Sequence, residues 1–263
     1  MNAKHGEFVA LHRKGEPLVL PNAWDVASAL IVEAAGARAV ATTSAGVAWS
    51  LGSADGDQLA RDRAVDLVAR IAAAVRVPVT ADIEGGYATT AEGVRETASL
   101  VAEAGAVGVN IEDADHGGTA ALLEIGAQAD RIAAAASVGD LFVNARIDTY
   151  LRGLASPFDE TAKRAEAYLA AGAHGIFVPG FIDTDAISAL TARLDAPVNI
   201  MIWPGAPSVS ALAAAGVARV SAGSGLAQAA YTIARRGAEE MLREGTYDAL
   251  AGDDFGTLNG LFR

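Results

Sequence analysis

The chain contains no cysteine. Disulfides, thiolate metal sites and a cysteine nucleophile or acid are therefore excluded. It also lacks positive charge: 20 Lys and Arg stand against 32 Asp and Glu, a formal net charge of −12. Nucleic acid and anionic membrane both require a basic footprint, so neither is expected as a partner. An anionic small molecule stays compatible, because a site's field is local and a bound cation inverts it. No apolar run approaches the roughly 20 residues of a membrane span. Residues 1–14 are polar and of mixed charge, without the apolar core of a signal peptide. The expectation is a soluble cytoplasmic protein. No linker or low-complexity tract divides the 263 residues, so one domain over 1–263 is expected, a size common among α/β barrels.

A repeated phrase carries the architecture. Glu33-Ala-Ala-Gly-Ala-Arg-Ala-Val40, Glu103-Ala-Gly-Ala-Val-Gly-Val109, Ala170-Ala-Gly-Ala-His-Gly-Ile176 and Ala214-Ala-Gly-Val-Ala-Arg-Val220 share one form. Each reads as an Ala-rich helix end, a Gly suited to the left-handed position that stops a helix, and then a strand. Eight apolar runs read as strands: 18–21, 39–43, 79–83, 107–111, 142–147, 175–178, 198–202 and 220–222. Amphipathic stretches separate them at 25–35, 61–75, 90–104, 127–136, 159–171, 185–192 and 208–215, and a last helix covers 225–242. Regular alternation of this kind predicts a parallel sheet, and eight units closing on themselves give an α/β (β/α)8 TIM barrel. A doubly wound open sheet is the rival, but the Gly-rich dinucleotide fingerprint is missing after the first strand, which runs into Asn22-Ala-Trp-Asp25. The tail 243–263 carries Tyr247, Phe255, Leu258, Leu261 and Phe262. It is expected to form an extra C-terminal helical segment that packs on the barrel or on a partner subunit.

Two strands end in carboxylates. Val77-Pro78-Val79-Thr80 leads into Asp82-Ile83-Glu84-Gly85-Gly86-Tyr87, and Ala106-Val107-Gly108-Val109 leads into Asn110-Ile111-Glu112-Asp113. Catalytic groups of a parallel barrel sit at the C-terminal ends of its strands. Clustered carboxylate oxygens there suit a hard divalent cation, Mg²⁺ or Mn²⁺. The other strand ends add Asn22, Trp24, Thr43, Ser44, Ala45, Gly46, Asp55, His116, Asn144, Arg146, Asp148, Asn199, Ser221 and Ser224. A substrate carboxylate can chelate the metal and be held by backbone N–H groups near Ser44–Gly46. Arg146 can stabilise charge developing on an oxygen. Strand alternation places Asp82 and Glu84 on one face. Each assignment has a plainer rival: a salt bridge for the carboxylates, a cap for Asp113, an ion pair for Arg146 with Asp148, a turn for Asp55 and an exposed loop for His116. The Gly223-Ser224-Gly225 turn opens the last helix, where many barrels bind phosphate, but no Lys or Arg follows before Arg235.

In order along the chain, Asn22-Ala-Trp-Asp25, Thr43-Ser44-Ala45-Gly46, Asp82-Ile83-Glu84-Gly85-Gly86-Tyr87, Asn110-Ile-Glu-Asp113 and Asn144-Ala-Arg-Ile-Asp148 resemble the isocitrate lyase/phosphoenolpyruvate mutase superfamily. The resemblance implies a modified TIM barrel with Mg²⁺ at its mouth and chemistry on small 2-oxo acids. It implies a homo-oligomer, a dimer or a tetramer with exchanged C-terminal helices. Asp82, Glu84 and Glu112 match its metal site, and Ser44 and Gly46 match the grip on the substrate carboxylate. Arg146 matches the Arg that stabilises the enolate oxygen, and Asp55 the loop Asp that positions substrate or leaving group. Thr43, Ala45, Trp24 and Asn199 complete the expected substrate contacts.

The departures narrow the chemistry. The Cys-bearing loop of the lyases is replaced by Asp113-Ala-Asp-His116-Gly-Gly-Thr119, which makes His116 the candidate for the missing acid. The Asn-rich gating loop of the mutases is missing too, and Pro179-Gly180 stands where they carry His and Ser. The expectation is a Mg²⁺-dependent lyase cleaving a carbon–carbon bond of a 2-oxo or 2-hydroxy dicarboxylic acid. The alternatives are a phosphonopyruvate-type hydrolase or mutase, and a non-catalytic oxo-acid-binding protein.

Overall fold

In the computed structural model, which describes residues 3–262, every expected strand forms. The strands are β1 (Leu18–Leu20), β2 (Asn22–Ala23), β3 (Val40–Thr42), β4 (Val79–Asp82), β5 (Gly108–Glu112), β6 (Phe142–Arg146), β7 (Gly175–Val178), β8 (Val198–Met201) and β9 (Arg219–Ser221). The helices are α1 (Ala3–Ala10), α2 (Val26–Ala34), α3 (Ser44–Ser50), α4 (Arg61–Ala74), α5 (Ala91–Glu103), α6 (Ile125–Ala136), α7 (Pro157–Ala170), α8 (Thr184–Arg193), α9 (Val209–Ala214), α10 (Gly225–Arg243) and α11 (Phe255–Gly260). The sheet is parallel throughout, in the order β1-β9-β8-β7-β6-β5-β4-β3-β2.

The ninth strand, β2, lies just past the expected first strand of 18–21 and was not expected. Pro21 has no N–H to donate and interrupts the ladder. Ahead of it, Leu18–Leu20 pairs with Arg219–Ser221; behind it, Asn22 and Ala23 pair with Ala41 and Thr42. The two strands close the barrel through one covalent link. The Asn22 side chain bridges the seam, donating to the Thr42 carbonyl (2.9 Å) and accepting from the Ala222 N–H (2.9 Å).

Strand parity sorts the core. Val109, Ile111, Val143, Ala145, Ile176, Val198, Ile200 and Val220 face outward and pack with Val94, Ile132, Ala162, Tyr168 and Leu190 of the helices. Each fully buried aliphatic side chain contributes about 1.5–3 kcal/mol. The opposite parity fills the interior with Thr80, Asn110, Asn144, Asn199 and Arg219, all buried. Barrel interiors are usually layers of Val, Ile and Leu, so this polar interior is unusual.

Two helices were not expected from the sequence. α1 plugs the N-terminal end of the barrel: Phe8 packs edge-on against Phe142 (5.6 Å) within a cluster holding Leu11, Leu18 and Leu20. α3 converts the expected Ser44–Gly46 loop into a helix. In the tail, Leu250 packs against Gly237 of α10, and Glu240 accepts from Thr246 Oγ1 (2.7 Å) and from the N–H groups of Asp248 (2.7 Å) and Ala249 (2.8 Å). Among the described residues no helix is long and apolar enough to cross a membrane.

Candidate active site

A cavity of about 160 Å³ opens at the C-terminal ends of the strands. Its wall can be read around the barrel. Asn22, then Thr43, Ser44 and Ala45, then Asp82, Asn110 and Arg146 form a polar arc over β2 to β6, to which the loop residue Asp55 is added. Leu151 from the loop after β6, Phe177 of β7 and Met201 of β8 form an apolar arc. Ser221, Gly223 and Ser224 close the ring. Among these lining residues Arg146 is the only Lys or Arg.

Arg146 is held in a fork. Its Nε and Nη2 donate to the two oxygens of Asp148 (2.7 and 2.9 Å), and its Nη1 meets Glu112 Oε2 at 2.5 Å. Burial opposes its charge, but Glu112, Asp148 and Asp82 outweigh that and hold it protonated. Two parallel charge-assisted bonds give the guanidinium both strength and direction. The ion pair foreseen as a rival for Arg146 and Asp148 thus exists, and it aims an arginine that also lines the cavity. Asp148 is fixed in turn: its N–H donates to Asp113 (2.9 Å), which also accepts from Arg164 (3.0 Å) and the Tyr168 hydroxyl (2.9 Å). Asp113 is therefore a fully buried structural anchor.

Asp82 accepts from the Ser44 N–H (3.3 Å) at the start of α3, and its own N–H donates to Thr42 Oγ1 (2.9 Å). Burial pushes its carboxyl up to about 6; Arg146 counters this, while Glu112 and Asp55 add to it. A buried carboxylate crowded by its own kind, beside an open cavity, is an environment that a hard divalent cation relieves. The donor set fits Mg²⁺ held by one or two carboxylates, with water completing the shell.

Glu84 does not share the face of Asp82. β4 ends at Asp82, and Glu84 has φ of +51°, so the alternation argument fails there. Its Oε2 accepts from the N–H groups of Gly56 (2.9 Å) and Asp57, and its Oε1 from the Tyr87 hydroxyl (3.2 Å). Burial raises its carboxyl to about 7. Glu84 thus braces the loop that carries Asp55. Glu112 lies behind Arg146, bonded to it and to His116 Nε2. Burial works against its charge, but Arg146 and His116 hold it below the usual carboxylate range. Among the described residues no three His, Asp or Glu side chains converge as a ready-made metal cage.

Four further expected residues are not brought to the wall. His116 is bonded to Glu112, which raises its pKa, and it faces a separate outer cavity of about 500 Å³ with Asp57 and Tyr87. The Trp24 ring packs toward Tyr231 of α10 (6.1 Å). Gly46 lies inside α3, where a Cβ would come within 2.7 Å of Trp24 Cβ and 2.8 Å of Thr43 Cγ2. Helix packing accounts for that glycine. Asn199 points inward but one layer below the mouth, level with Arg219, and donates to Ser221 Oγ (3.1 Å). Sequence reasoning gave no role to Leu151, Phe177 and Met201, which look like core in sequence, or to Arg219, which sits inside a strand rather than at its end.

Comparison with known proteins bears on the family and the fold. The family model described as phosphoenolpyruvate phosphomutase matches residues 8–242. An uncharacterised protein of Mycobacterium tuberculosis is 40% identical over 82% of this chain and 81% of its own length. An oxaloacetate decarboxylase of Ectopseudomonas mendocina is 31% identical over 74% of this chain and 67% of its own length. Among solved structures, a lyase/mutase-like protein of Burkholderia cenocepacia superposes with a TM-score of 0.91 at 40% identity, covering 99% of this chain and 96% of that one. A matched model that spans the whole barrel, together with these relatives, shows that the chain belongs to the phosphoenolpyruvate phosphomutase family.

Proposed function

We propose that the protein is a Mg²⁺-dependent lyase that cleaves a carbon–carbon bond of a small 2-oxo dicarboxylic acid, with decarboxylation of an oxaloacetate-like substrate as the leading case. The observation that carries this reading is the two-sided cavity, whose volume of about 160 Å³ admits only a small acid. The polar arc suits a 2-oxo carboxylate. The apolar arc of Leu151, Phe177 and Met201 offers a second carboxylate no hydrogen bond, and a poorly solvated carboxylate is readily lost as CO₂. A relative named oxaloacetate decarboxylase supports the same choice.

In this reading Asp82 would hold the Mg²⁺, while Glu112, bonded to Arg146 and His116, and Glu84, bonded under the Asp55 loop, shape the site around it; Mn²⁺ suits the same oxygens. When bound, the ion supplies Lewis-acid polarisation of the 2-oxo carbonyl. Thr43, Ser44 and Ala45 bind and orient the substrate carboxylate. As CO₂ departs, the electron pair of the broken bond passes toward the 2-oxo oxygen, and Arg146 shares the charge that develops there. Asp55, on the braced loop, orients a water that supplies the proton taken up by the carbon left behind. A phosphonate substrate has less support, because Arg146 is the only cationic residue on the wall. For assembly, α10 and the tail leave Leu242, Tyr247, Leu250 and Phe255 exposed. An apolar strip of this kind supports a dimer or tetramer with C-terminal exchange.

The test is turnover of oxaloacetate, methylisocitrate-like acids and phosphonopyruvate with Mg²⁺, detecting pyruvate, CO₂ and phosphate. Pyruvate and CO₂ that vanish with EDTA and in Asp82→Ala are expected. Phosphate release would replace the proposal with the phosphonate reading. Saturable binding of these acids without turnover would make the protein a binding module.

A further inference from the structure

The polar interior beneath the cavity determines which way one amide on its wall points. Asn110 lines the cavity between Asp82 and Arg146. Its Oδ1 accepts two hydrogen bonds from below, from Asn144 Nδ2 (2.9 Å) and from Arg219 Nη2 (3.2 Å). A guanidinium has donors and no acceptor, so the Asn110 atom facing Arg219 must be the oxygen. The far end of the network is fixed as firmly. Asn199 Nδ2 donates to the carbonyls of Ile200 (3.1 Å) and Arg219 (3.3 Å), which can only accept. Its Oδ1 must then face Asn144 and receive Nδ2 (3.2 Å). Amide orientation is ordinarily a choice between two similar fits; here it is forced from both ends. Asn110 Nδ2 is left with no protein acceptor among the described residues, beside the open cavity.

Arg219 has no evident reason of stability to be there. It is 1% exposed, and its Nε and Nη1 have no partner among the described residues. Its other close contact is the Phe8 ring at 5.9 Å. A buried charge so poorly paired weakens a fold, and an apolar side chain of similar size is commonly neutral or better.

We propose that Asn110 is a further substrate-binding donor of the cavity, directed by Arg219 as a positioning residue. The ligand is an oxygen of a small planar carboxylate anion, so the proposal rests on the oxo-acid reading above. Asn110 supplies a neutral donor between the carboxylate of Asp82 and the cation of Arg146, where a second charge would upset the balance. The Arg219 side chain never touches substrate; it keeps the amide from turning its oxygen into the cavity.

The probe is oxalate, a planar dianion with the geometry of a 2-oxo carboxylate, titrated by calorimetry at saturating Mg²⁺. Asn110→Asp keeps the size and gives Arg219 an ionic partner, but turns an acceptor toward the ligand. Its oxalate affinity is expected to fall tenfold or more. Arg219→Met removes one of the two donors holding the amide. It is expected to weaken oxalate binding several-fold while leaving the melting temperature unchanged or higher, a split that a purely structural arginine would not produce. The Asn110 side-chain NH₂ signals, assigned by their loss in Asn110→Asp, are expected to shift with oxalate. Wild-type affinity in Asn110→Asp, or NH₂ signals that ignore oxalate, would overturn the proposal. Wild-type protein that binds oxalate but turns over no 2-oxo acid would remove the reaction assignment alone. Wild-type protein that binds no oxalate would overturn both.

Discussion

His12 makes the fold sensitive to acid. Its ring stacks on Phe142 at 4.3 Å, one nitrogen bonds the Phe8 carbonyl (2.8 Å), and Nε2 is buried without a partner. Burial, helped by the charge of Arg219 and opposed by the Phe8 carbonyl, lowers its pKa from 6.5 to about 3. The folded value lies below the unfolded one, so the stability it contributes is complete above about pH 6.5. That contribution is lost as the pH falls toward 3. At pH 4.5 the unfolded chain gains a proton that the folded chain refuses, worth about 1.4 kcal/mol per pH unit, or about 2.7 kcal/mol at the limit. The ring is partly exposed, so about 2 kcal/mol is a fairer figure. With an unfolding entropy of about 2.1 cal/mol/K per residue, that is a shift of roughly 4 °C. The measurement is thermal melting of wild type and His12→Phe at pH 7.5 and 4.5. Phe keeps the stack and cannot titrate. Groups common to both proteins, including Asp82 with its opposite trend, cancel in the difference. Wild type should lose roughly 4 °C more than the variant between the two pH values. Equal losses would refute the argument, and a greater loss in the variant would reverse its sign.

Two other perturbations test the structure directly. Tyr168→Phe removes one of three hydrogen bonds to the buried Asp113 carboxylate. Urea unfolding should show a stability loss of about 1.5–3 kcal/mol, with substrate affinity little changed because Arg146 keeps its fork; an undiminished midpoint would mean that the hydroxyl contributes nothing. For assembly, Phe255→Asp together with Leu242→Asp should lower the molecular mass measured by light scattering if the exposed strip is an interface, and an unchanged mass would remove that role.

The barrel was legible because its signal is periodic. Helix-end glycines and β-branched runs recur, and every expected strand formed where it was expected. The first strand was expected to include Pro21, but it ends at Leu20 because Pro21 has no N–H to donate, and the pairing of Asn22 and Ala23 with β3 beyond it was not expected. α1 was missed because its apolar run, Phe8 to Leu11, is short and is flanked on both sides by polar and charged residues. At the site, Asp55, Asp82, Arg146, Thr43, Ser44 and Ala45 reach the cavity wall. Glu84 does not, because alternation holds only while the backbone stays extended and its φ is +51°. Asn199 has the right parity but the wrong depth, and parity carries no information about depth. Phe177 and Met201 carry no chemical signature, so only the closed ring shows them as the wall opposite the charges.

Asp57, Glu84 and Tyr87 all have left-handed backbone, with φ of +58°, +51° and +51°. They are also tied together, since Glu84 bonds both the Asp57 N–H and the Tyr87 hydroxyl. Outside glycine such conformations cost about 1–3 kcal/mol each. The corner that presents Asp55 is therefore among the least favourable pieces of backbone in the molecule. A population evolved for heat resistance alone should accumulate Gly or Asn at Asp57 first, because its buried Oδ1 has no partner to lose whereas Glu84 and Tyr87 bond each other, and it should become hardier while the Asp55 loop slackens. Sequencing the survivors of such a selection would reveal that trade.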